Sequence, residues 1–345
     1  ERSRGLGDVY KRQDPANANS DTADDAMFEE TESAAEMTQE GRQLRPPRNL
    51  AEAMWKALRP RQWVKNILVV MAPLSAGTEV VTDPHVLLQV LYSFITFCLA
   101  SSSIYLINDA RDVEADRQHP VKRFRPIASG VLPLRLAYVM GVVLMLVSVL
   151  LGYFLSGSSL AIVLAVYIVL QLGYCFGLKH QMVLDIVLVS SGFLLRAIAG
   201  GVASDVPLSQ WFLLVMAFGS IFMASGKRYA EKLLADKEGR QIRKVLQSYT
   251  GTYLRFVWTM SATALILCYS LWAFQQGQAT ADHSGSLWYE ISMVPWAIAV
   301  MRYAVDVDRG DAGAPEDIAL KDHVLQVIAL LWLMCIVLAV YVFGG

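Results

Sequence analysis

Cysteine and charge are both scarce in this sequence of 345 residues, and each shortage excludes a class of protein. The only cysteines, Cys98, Cys175, Cys268 and Cys335, form no CxxC pair and no Cys/His set with zinc-ligand spacing. The chain is therefore neither a disulfide scaffold nor a zinc module. Charged residues make up 18% and hydrophobic residues 54%, whereas a soluble domain is about a quarter charged. These proportions indicate an integral membrane protein.

The first fifty residues differ in composition from the rest. Residues 14–40 contain nine Asp or Glu and neither Lys nor Arg. Such a segment buries too little apolar surface to offset the entropy of ordering, so we expect a disordered acidic tail over 1–50 and a membrane domain over 51–345. Residues 1–13 read like a cloning or assembly remnant, and no apolar core of a cleavable signal peptide follows them.

Long apolar runs dominate the membrane domain. A helix needs about 20 mostly apolar residues to cross the hydrocarbon core of a bilayer. The sequence therefore predicts an all-α, polytopic membrane protein with nine transmembrane helices. The predicted spans are 63–82, 86–107, 132–155, 158–178, 182–203, 209–226, 254–275, 287–305 and 323–343.

Lysine and arginine lie on one side of these spans. Of the 22 Lys and Arg residues after position 58, 21 fall in one alternating set of loops and span ends, and Arg196 alone lies inside a span. Because positive residues favour the cytoplasmic face, we expect the N-terminus and the charged loops in the cytoplasm and the C-terminus outside.

Carboxylates recur at helical spacing where the second span ends, in the segment 101–130. Asn108, Asp112 and Asp116 are four residues apart and form one stripe on a helix, with Asp109 beside it. Like charges at this spacing repel each other unless cations compensate them. Mg²⁺, which prefers oxygen ligands and also binds phosphate oxygens, fits best. The stripe favours a metal–diphosphate site over the alternative, a solvated polar helix end.

A basic cluster follows the carboxylates directly. It consists of His119, Lys122, Arg123 and Arg125. These residues are either an ordinary cytoplasmic charge cluster or ligands of phosphate oxygens, whose charge the arginine guanidinium and lysine ammonium groups neutralise. The combined pattern N-D-x-x-D-x-x-x-D-x-x-H-P-x-K-R-x-R-P is more specific than either half.

This combined pattern resembles the first polar motif of the UbiA superfamily of intramembrane prenyltransferases, and the resemblance covers roughly 55–343. It implies nine helices around a cytoplasm-facing cavity whose mouth binds a Mg²⁺–diphosphate. It also implies that Asn108, Asp109, Asp112 and Asp116 bind the metal and that the three aspartates are catalytic.

The second motif of the family differs in this chain. Where aromatic prenyltransferases carry another DxxxD after helix six, this sequence reads SGKRYAEKLL, with Lys227 and Arg228 at expected acidic positions and only Glu231 remaining. The family's YxxxK is one residue longer here, from Tyr174 to Lys179. A basic site thus replaces a second metal–carboxylate cluster. This replacement indicates that the substrates include a second anionic group, which side chains bind with fewer metal ions.

These departures, with LRPRQWVKN, SYTGTYLR and GFLLRAIAGG, resemble a phosphoribosyl-transferring branch of the family that starts arabinan-donor synthesis for the bacterial cell wall. The resemblance implies 5-phosphoribosyl diphosphate as donor, a polyprenyl (decaprenyl) phosphate as acceptor, diphosphate as product and Mg²⁺ as cofactor. It further implies the inner membrane as location and homo-oligomerisation, and nothing in the sequence indicates nucleic-acid binding.

Three phosphate groups must share one cleft in this reaction, and the carboxylate motif takes the leaving diphosphate. The remaining candidate substrate-binding residues are polar or basic and lie at the same predicted face. They are Gln62, Lys65, Asn108, Lys122, Arg123, Arg125, Tyr174, Lys179, Asp185, Lys227, Arg228, Glu231 and Tyr249.

Several alternatives remain open. Asp185 either faces the cleft or caps the surface of a helix end. Arg196 either lines the cavity, binds helix-end carbonyls or reaches toward the outer face, since a buried cation is costly unless paired. The alternative function is prenyl transfer from an isoprenoid diphosphate to an aromatic acceptor. An enzyme with that function would use a second acidic motif, which this sequence lacks. A transporter would need more ionisable groups in mid-membrane.

We predict that Asp109→Ala or Asp112→Ala abolishes transfer while leaving expression nearly unchanged, because each removes a carboxylate of the metal site. The measurement is the transfer rate of the purified variants. Normal rates in the pure variants would overturn the metal assignment.

Overall fold

The structure is a computed structural model that describes residues 45–119, 121–238, 244–280, 283–310, 318 and 322–343. All regular elements in these ranges are helical, which confirms the all-α class. The predicted remnant at 1–13 and most of the predicted acidic tail lie outside the described residues. The tail and its boundary at residue 50 therefore stay predictions.

Thirteen α-helices make up most of the described chain. They are α1 (Leu50–Ala57), α2 (Met71–Leu74), α3 (Thr78–Thr82), α4 (Pro84–Arg111), α5 (Val113–Gln118), α6 (Leu134–Ser156), α7 (Ser158–Cys175), α8 (Leu184–Ala203), α9 (Gln210–Glu238), α10 (Lys244–Ser248), α11 (Gly251–Ala279), α12 (His283–Arg309) and α13 (His323–Val337). Short 3₁₀ segments cover Pro60–Val70, Lys122–Phe124 and Leu178–His180, and a π-helical turn, Leu338–Val342, extends α13.

Six helices in the described ranges are long and apolar enough to cross a membrane, namely α4, α6, α7, α8, α11 and α13 with its π-helical turn. They coincide with six of the nine predicted spans, so the chain is a multi-pass membrane protein. The predicted spans 209–226 and 287–305 lie within α9 and α12, which are not among the six. The count of nine stays a prediction.

The first predicted span, 63–82, is not one continuous helix. It is divided into the 3₁₀ segment Pro60–Val70 and the short helices α2 and α3. Pro73 lies within α2, and Gly77 separates α2 from α3 with a φ of 103°. A residue at such a φ ends a helix, since only glycine adopts it without strain. The apolar run alone does not reveal these interruptions.

The helix α8 lies at the centre of the packing. Its residues Ala199 and Ala203 belong to an apolar cluster with Val69 of the 3₁₀ segment and with α4 and α7. Its residue Ile186 belongs to a second cluster formed with α9, α11 and α12. Since both clusters share this helix, it holds the two halves of the bundle together.

The helix ends that carry charge meet at one end of the bundle. Lys179, which follows α7, pairs with Asp112 after α4, and Arg302 near the end of α12 pairs with Asp322 before α13. The opposite helix ends meet as well, since Gln89 near the start of α4 donates to the Leu155 carbonyl near the end of α6. The bundle therefore has one charged end, which we call the charged face.

The closest approach between α8 and the 3₁₀ segment occurs at Gly200. A Cβ atom at this position would overlap the backbone carbonyl group of Val69, which cannot move aside as a side chain can. Glycine is required here because the two backbones touch.

We predict that Gly200→Ala destabilises the protein by about 3 kcal/mol, because it forces the two backbones apart. The matched control is Gly251→Ala, since Gly251 is also helical and a Cβ there meets nothing within 4 Å. The measurement is the thermal unfolding midpoint in nanodiscs. Equal midpoints for the two variants would contradict this packing.

Candidate active site

The Asp109 carboxylate, at the end of α4, is buried and bound by arginine. Arg59 Nη2 lies 2.6 and 2.7 Å from its two oxygens, and Arg125 Nη1 lies 3.3 Å from Oδ1. Only 6% of the Asp109 side chain is exposed, against 26% of that of Arg59. Burial alone would lower the pKa of Arg59, but the Asp109 carboxylate raises it above its usual value. Arg59 therefore stays protonated.

Arg125 joins Asp109 to Asp116. The same Nη1 atom lies 2.8 Å from Asp116 Oδ2, and the Asp116 side chain is 6% exposed. We call the four residues Arg59, Asp109, Arg125 and Asp116 the Asp109 network. It comprises two positive and two negative groups, so each buried carboxylate is compensated.

The third carboxylate of the motif, Asp112, has a different partner. α4 ends at Arg111, and Asp112 separates it from α5, so the predicted stripe does not lie on one uninterrupted helix. Lys179 Nζ lies 2.6 and 2.7 Å from the two oxygens of Asp112. The repulsion expected within the stripe is relieved by three cations, one of them supplied from beyond α7.

A second charged cluster forms around Asp185 at the start of α8. Asp185 is completely buried, and its oxygens accept from Arg228 Nε at 3.0 Å and from the Tyr249 hydroxyl at 2.6 Å. Arg228 also pairs with Glu231 at 3.1 Å. We call these four residues the Asp185 cluster. Asp185 is thus a buried member of a network, and the alternative of a surface cap is wrong.

The backbone at Val183 is fixed by the same cluster. Its φ of 69° is unusual for a β-branched residue, and its N–H donates to the Tyr249 hydroxyl oxygen at 2.6 Å. Burial and the bond to Asp185 raise the pKa of Tyr249. The hydroxyl therefore stays protonated and remains a donor to the carboxylate.

The loop 176–183 connects the two clusters. Lys179 in this loop binds Asp112, and Val183 at its end binds Tyr249 of the Asp185 cluster. The loop therefore joins the acidic motif around Asp112 to Arg228 of the basic motif, which the Asp185 cluster contains. The structure thus links the acidic and the basic halves of the predicted site.

Most of the other predicted site residues are partly buried. Arg123 is exposed and its guanidinium lies 4.8 Å from the ring centre of Phe124. The partly buried residues are Gln62, Lys65, Asn108, Lys122, Tyr174 and Lys227. Their assignment to substrates stays a prediction.

The acidic motif presents oxygen donors that a divalent cation could use. Within the described ranges, no group of three or more His, Cys, Asp or Glu side chains is arranged to hold a metal ion. Asp109 and Asp116 nevertheless both approach one cationic atom, Arg125 Nη1, at 3.3 and 2.8 Å. Their oxygens are the donors that Mg²⁺ prefers. The donor type and this shared approach fit a magnesium ion, with Asp112 turned toward Lys179.

Sequence reasoning missed Arg59, whose contact with Asp109 is as short as that of Lys179 with Asp112. The signal was its place in LRPRQWVKN, directly before Pro60, but charge and spacing did not distinguish it from its neighbour Arg61. Only the packing of the Pro60–Val70 segment against α4 brings it to Asp109.

Arg196, left open by the sequence, is buried and bonded within the bundle. It donates to Asn66 Oδ1 at 2.7 Å and to the Gly192 carbonyl at 2.5 Å, and its guanidinium lies 5.2 Å from the ring centre of Tyr167. The alternative that it reaches toward the outer face is wrong. It bonds a helix carbonyl and links α8 to the 3₁₀ segment.

A cavity of about 450 Å³ lies away from these clusters. Its lining includes Asp83, Ser204 and Trp272. Asp83 precedes α4 and Ser204 follows α8, at the helix ends opposite to Asp109 and Asp185. The cavity therefore does not belong to the candidate site.

The sequence is similar to one known family and to two bacterial enzymes of the same name. The model of the UbiA prenyltransferase family matches residues 67–326. The decaprenyl-phosphate phosphoribosyltransferase of Corynebacterium glutamicum is 59% identical over 305 residues, which cover 88% of this chain and 91% of that protein. The enzyme of the same name from Mycolicibacterium smegmatis is 60% identical over 302 residues, covering 86% of this chain and 95% of that protein.

Solved structures share the fold at low sequence identity. A UbiA homolog from Archaeoglobus fulgidus bound to DMAPP and Mg²⁺ has a TM-score of 0.61 at 12% identity, covering 83% of this chain and 98% of that one. A structure of digeranylgeranylglyceryl phosphate synthase has a TM-score of 0.61 at 14% identity, covering 84% and 98%. Identities this low establish the fold alone.

We predict that Tyr249→Phe lowers stability by about 1–3 kcal/mol, because it leaves the Val183 N–H without its acceptor and Asp185 Oδ1 without its donor in a buried site. The control is Tyr253→Phe, since the Tyr253 ring stacks on Tyr249 at 5.8 Å while its hydroxyl takes no part in the Asp185 cluster. The measurement is the thermal unfolding midpoint of each variant, and we expect a lower midpoint for Tyr249→Phe. A midpoint of Tyr249→Phe equal to that of the control would contradict the role of this hydroxyl.

Proposed function

Because the chain belongs to the UbiA prenyltransferase family, we propose that it transfers the 5-phosphoribosyl group of phosphoribosyl diphosphate to a polyprenyl phosphate. The observation that carries the proposal is the identity of about 60% to decaprenyl-phosphate phosphoribosyltransferases over nearly their whole length. The basic character of the second motif, at Lys227 and Arg228, agrees with it.

The reaction exchanges one bond at the anomeric carbon of the donor. An oxygen of the acceptor phosphate forms the new bond to this carbon, and the bond to the diphosphate breaks, with the electron pair leaving on the diphosphate. A phosphate monoester is already anionic near neutral pH, so a strong base is not required. Positioning and charge stabilisation supply the acceleration, and we expect inversion at the anomeric carbon.

The acidic motif is proposed to hold the leaving diphosphate through Mg²⁺. Asp109 and Asp116, with Asn108 and Asp112 beside them, would hold the ion, which when bound supplies Lewis-acid stabilisation of the departing charge. Arg125 supports this assignment, since it already places a cationic group between the two carboxylates. The side chains of Asp109 and Asp116 are buried, and the surrounding residues therefore hold these carboxylates in place.

The basic residues are proposed to bind the remaining phosphates. Lys179 and Arg228 are anchored by Asp112 and Asp185, which orients their charges at the charged face. Arg forks match phosphate oxygens in pairs, whereas Lys provides a mobile point charge. Lys122, Arg123 and Lys227 extend this surface.

The membrane position follows from the lipid acceptor. We propose nine spans around a cavity that opens to the cytoplasm of a bacterial inner membrane, with the C-terminus outside. The absence of Lys and Arg from the opposite loops of the sequence supports this orientation. A polyprenyl chain then stays in the bilayer while its phosphate reaches the charged face.

Prenyl transfer to an aromatic acceptor is the rival function. It is disfavoured because Lys227 and Arg228 stand where a second aspartate motif is expected. The experiment supplies purified protein in nanodiscs with Mg²⁺ and one of two substrate mixtures. The first mixture contains phosphoribosyl diphosphate and decaprenyl phosphate, and the second contains an isoprenoid diphosphate and an aromatic acid. Product in the second mixture alone would overturn the proposal.

We predict that Asp116→Asn lowers phosphoribosyl transfer by at least about 100-fold and raises the Mg²⁺ concentration needed for half-maximal rate, since it removes a buried metal ligand. The matched control is Glu114→Gln in the same helix, whose side chain is 76% exposed against 6% for Asp116. The measurement is lipid product formed over a Mg²⁺ titration. Equal titration curves for both variants would exclude Asp116 from the metal site.

A further inference from the structure

Arg59 has no role in the assignment above, yet its Nη2 atom contacts both oxygens of Asp109 in the acidic motif, at 2.6 and 2.7 Å. We propose that Arg59 exchanges partners during the reaction cycle, leaving the Asp109 carboxylate for the donor's diphosphate when metal and diphosphate bind together. The inference rests on the proposed function, since it concerns the same site.

The backbone at Arg59 is held in place by α4. Ser102 Oγ donates to the Leu58 carbonyl at 2.8 Å and accepts from Trp63 Nε1 at 3.0 Å. Arg59 itself has a φ of 53°, in the left-handed region, directly before Pro60. Such a backbone is strained in a residue other than glycine and persists only where the surroundings fix it. The turn is therefore built to hold this side chain at one place.

The guanidinium is more exposed than the carboxylate that it binds. It lies 4.9 Å from the ring centre of Tyr105, and residues 102, 105 and 109 follow one stripe of α4. The Arg59 side chain is 26% exposed, whereas that of its partner Asp109 is 6% exposed. Arg59 thus reaches Asp109 from the open side of the charged face, where an incoming anion arrives.

Charge balance gives the reason for an exchange. The Asp109 network is neutral, with Arg59 and Arg125 against Asp109 and Asp116. A divalent cation added to it alone leaves two uncompensated positive charges in a partly buried site, which is unfavourable. A diphosphate removes this excess. Because a guanidinium fork fits carboxylate and phosphate equally well, Arg59 can release Asp109 to the metal and bind the diphosphate.

The alternative is a permanent structural pair that only orients Asp109. The two roles predict opposite effects of removing the Arg59 charge. Under exchange, Arg59 competes with the metal for Asp109, so its loss strengthens metal binding. Under the structural role, its loss disorders Asp109 and weakens metal binding.

The experiment measures Mn²⁺, a probe for the Mg²⁺ site, by electron paramagnetic resonance with full-length protein in nanodiscs, with and without inorganic diphosphate. For the unaltered protein we expect weak Mn²⁺ binding that diphosphate strengthens at least about tenfold. For Arg59→Gln we expect Mn²⁺ alone to bind about threefold more tightly and the strengthening by diphosphate to fall about tenfold, since one charged hydrogen bond is lost.

The matched control is Arg61→Gln, which removes the same charge two residues away at an exposed position. It should behave like the unaltered protein in both titrations. Weaker Mn²⁺ binding by Arg59→Gln with unchanged strengthening by diphosphate would overturn the exchange and favour the structural pair. Identical behaviour of Arg59→Gln and Arg61→Gln would overturn it as well.

A second variant covers the case that Arg59→Gln does not fold. Arg59→Lys keeps the charge and loses the fork, so Mn²⁺ alone should bind as before while the strengthening by diphosphate falls; unchanged strengthening would overturn the exchange. Failure of the proposed function is separate, because it appears as absent phosphoribosyl transfer by the unaltered protein. Failure of the exchange appears only in these titrations.

Discussion

The pairing of buried carboxylates with cations from distant parts of the chain is the interaction on which the charged face depends. Asp109, Asp116 and Asp185 are nearly or fully buried, and each is bonded to arginine. A buried carboxylate without a partner is costly enough to disrupt the surrounding packing. The pairs therefore fix α5 relative to the end of α4, and the start of α8 relative to α9, and they set the positions of the groups proposed to bind substrate.

Phosphate chemistry at a membrane surface suits such an arrangement. Carboxylates attract metal ions, whereas arginine and lysine attract phosphate oxygens, and here both kinds alternate within a few ångströms. Asp112 with Lys179 and Asp185 with Arg228 repeat the pattern at two places along the same face. A site of paired charges is nearly neutral without ligand. A metal–diphosphate also carries both positive and negative charge, so its metal can contact the carboxylates while its phosphate oxygens contact the basic side chains. This property fits a reaction in which diphosphate departs.

The apolar part of the bundle has a different task, which is to keep the charged elements rigid. Gly200 lets α8 touch the backbone of the segment that begins beside Arg59. Arg196, one turn earlier in α8, bonds Asn66 in the same segment. Contacts deep in the bundle thus determine where a side chain at its surface lies, and a change far from the charged face alters the site through the position of the Pro60–Val70 segment.

The sequence by itself determined the helical class, the membrane location and the family, because apolar runs and the spacing of Asp109, Asp112 and Asp116 are local properties of the chain. It also predicted that cations must accompany these carboxylates. Which cations do so was decided by tertiary structure alone: Arg59 binds Asp109 from 50 residues away and Lys179 binds Asp112 from 67 residues away. The breaks in the first predicted span and at Asp112 were decided there too. Pairing over such distances depends on how helices pack, and the order of residues does not encode it in any local pattern.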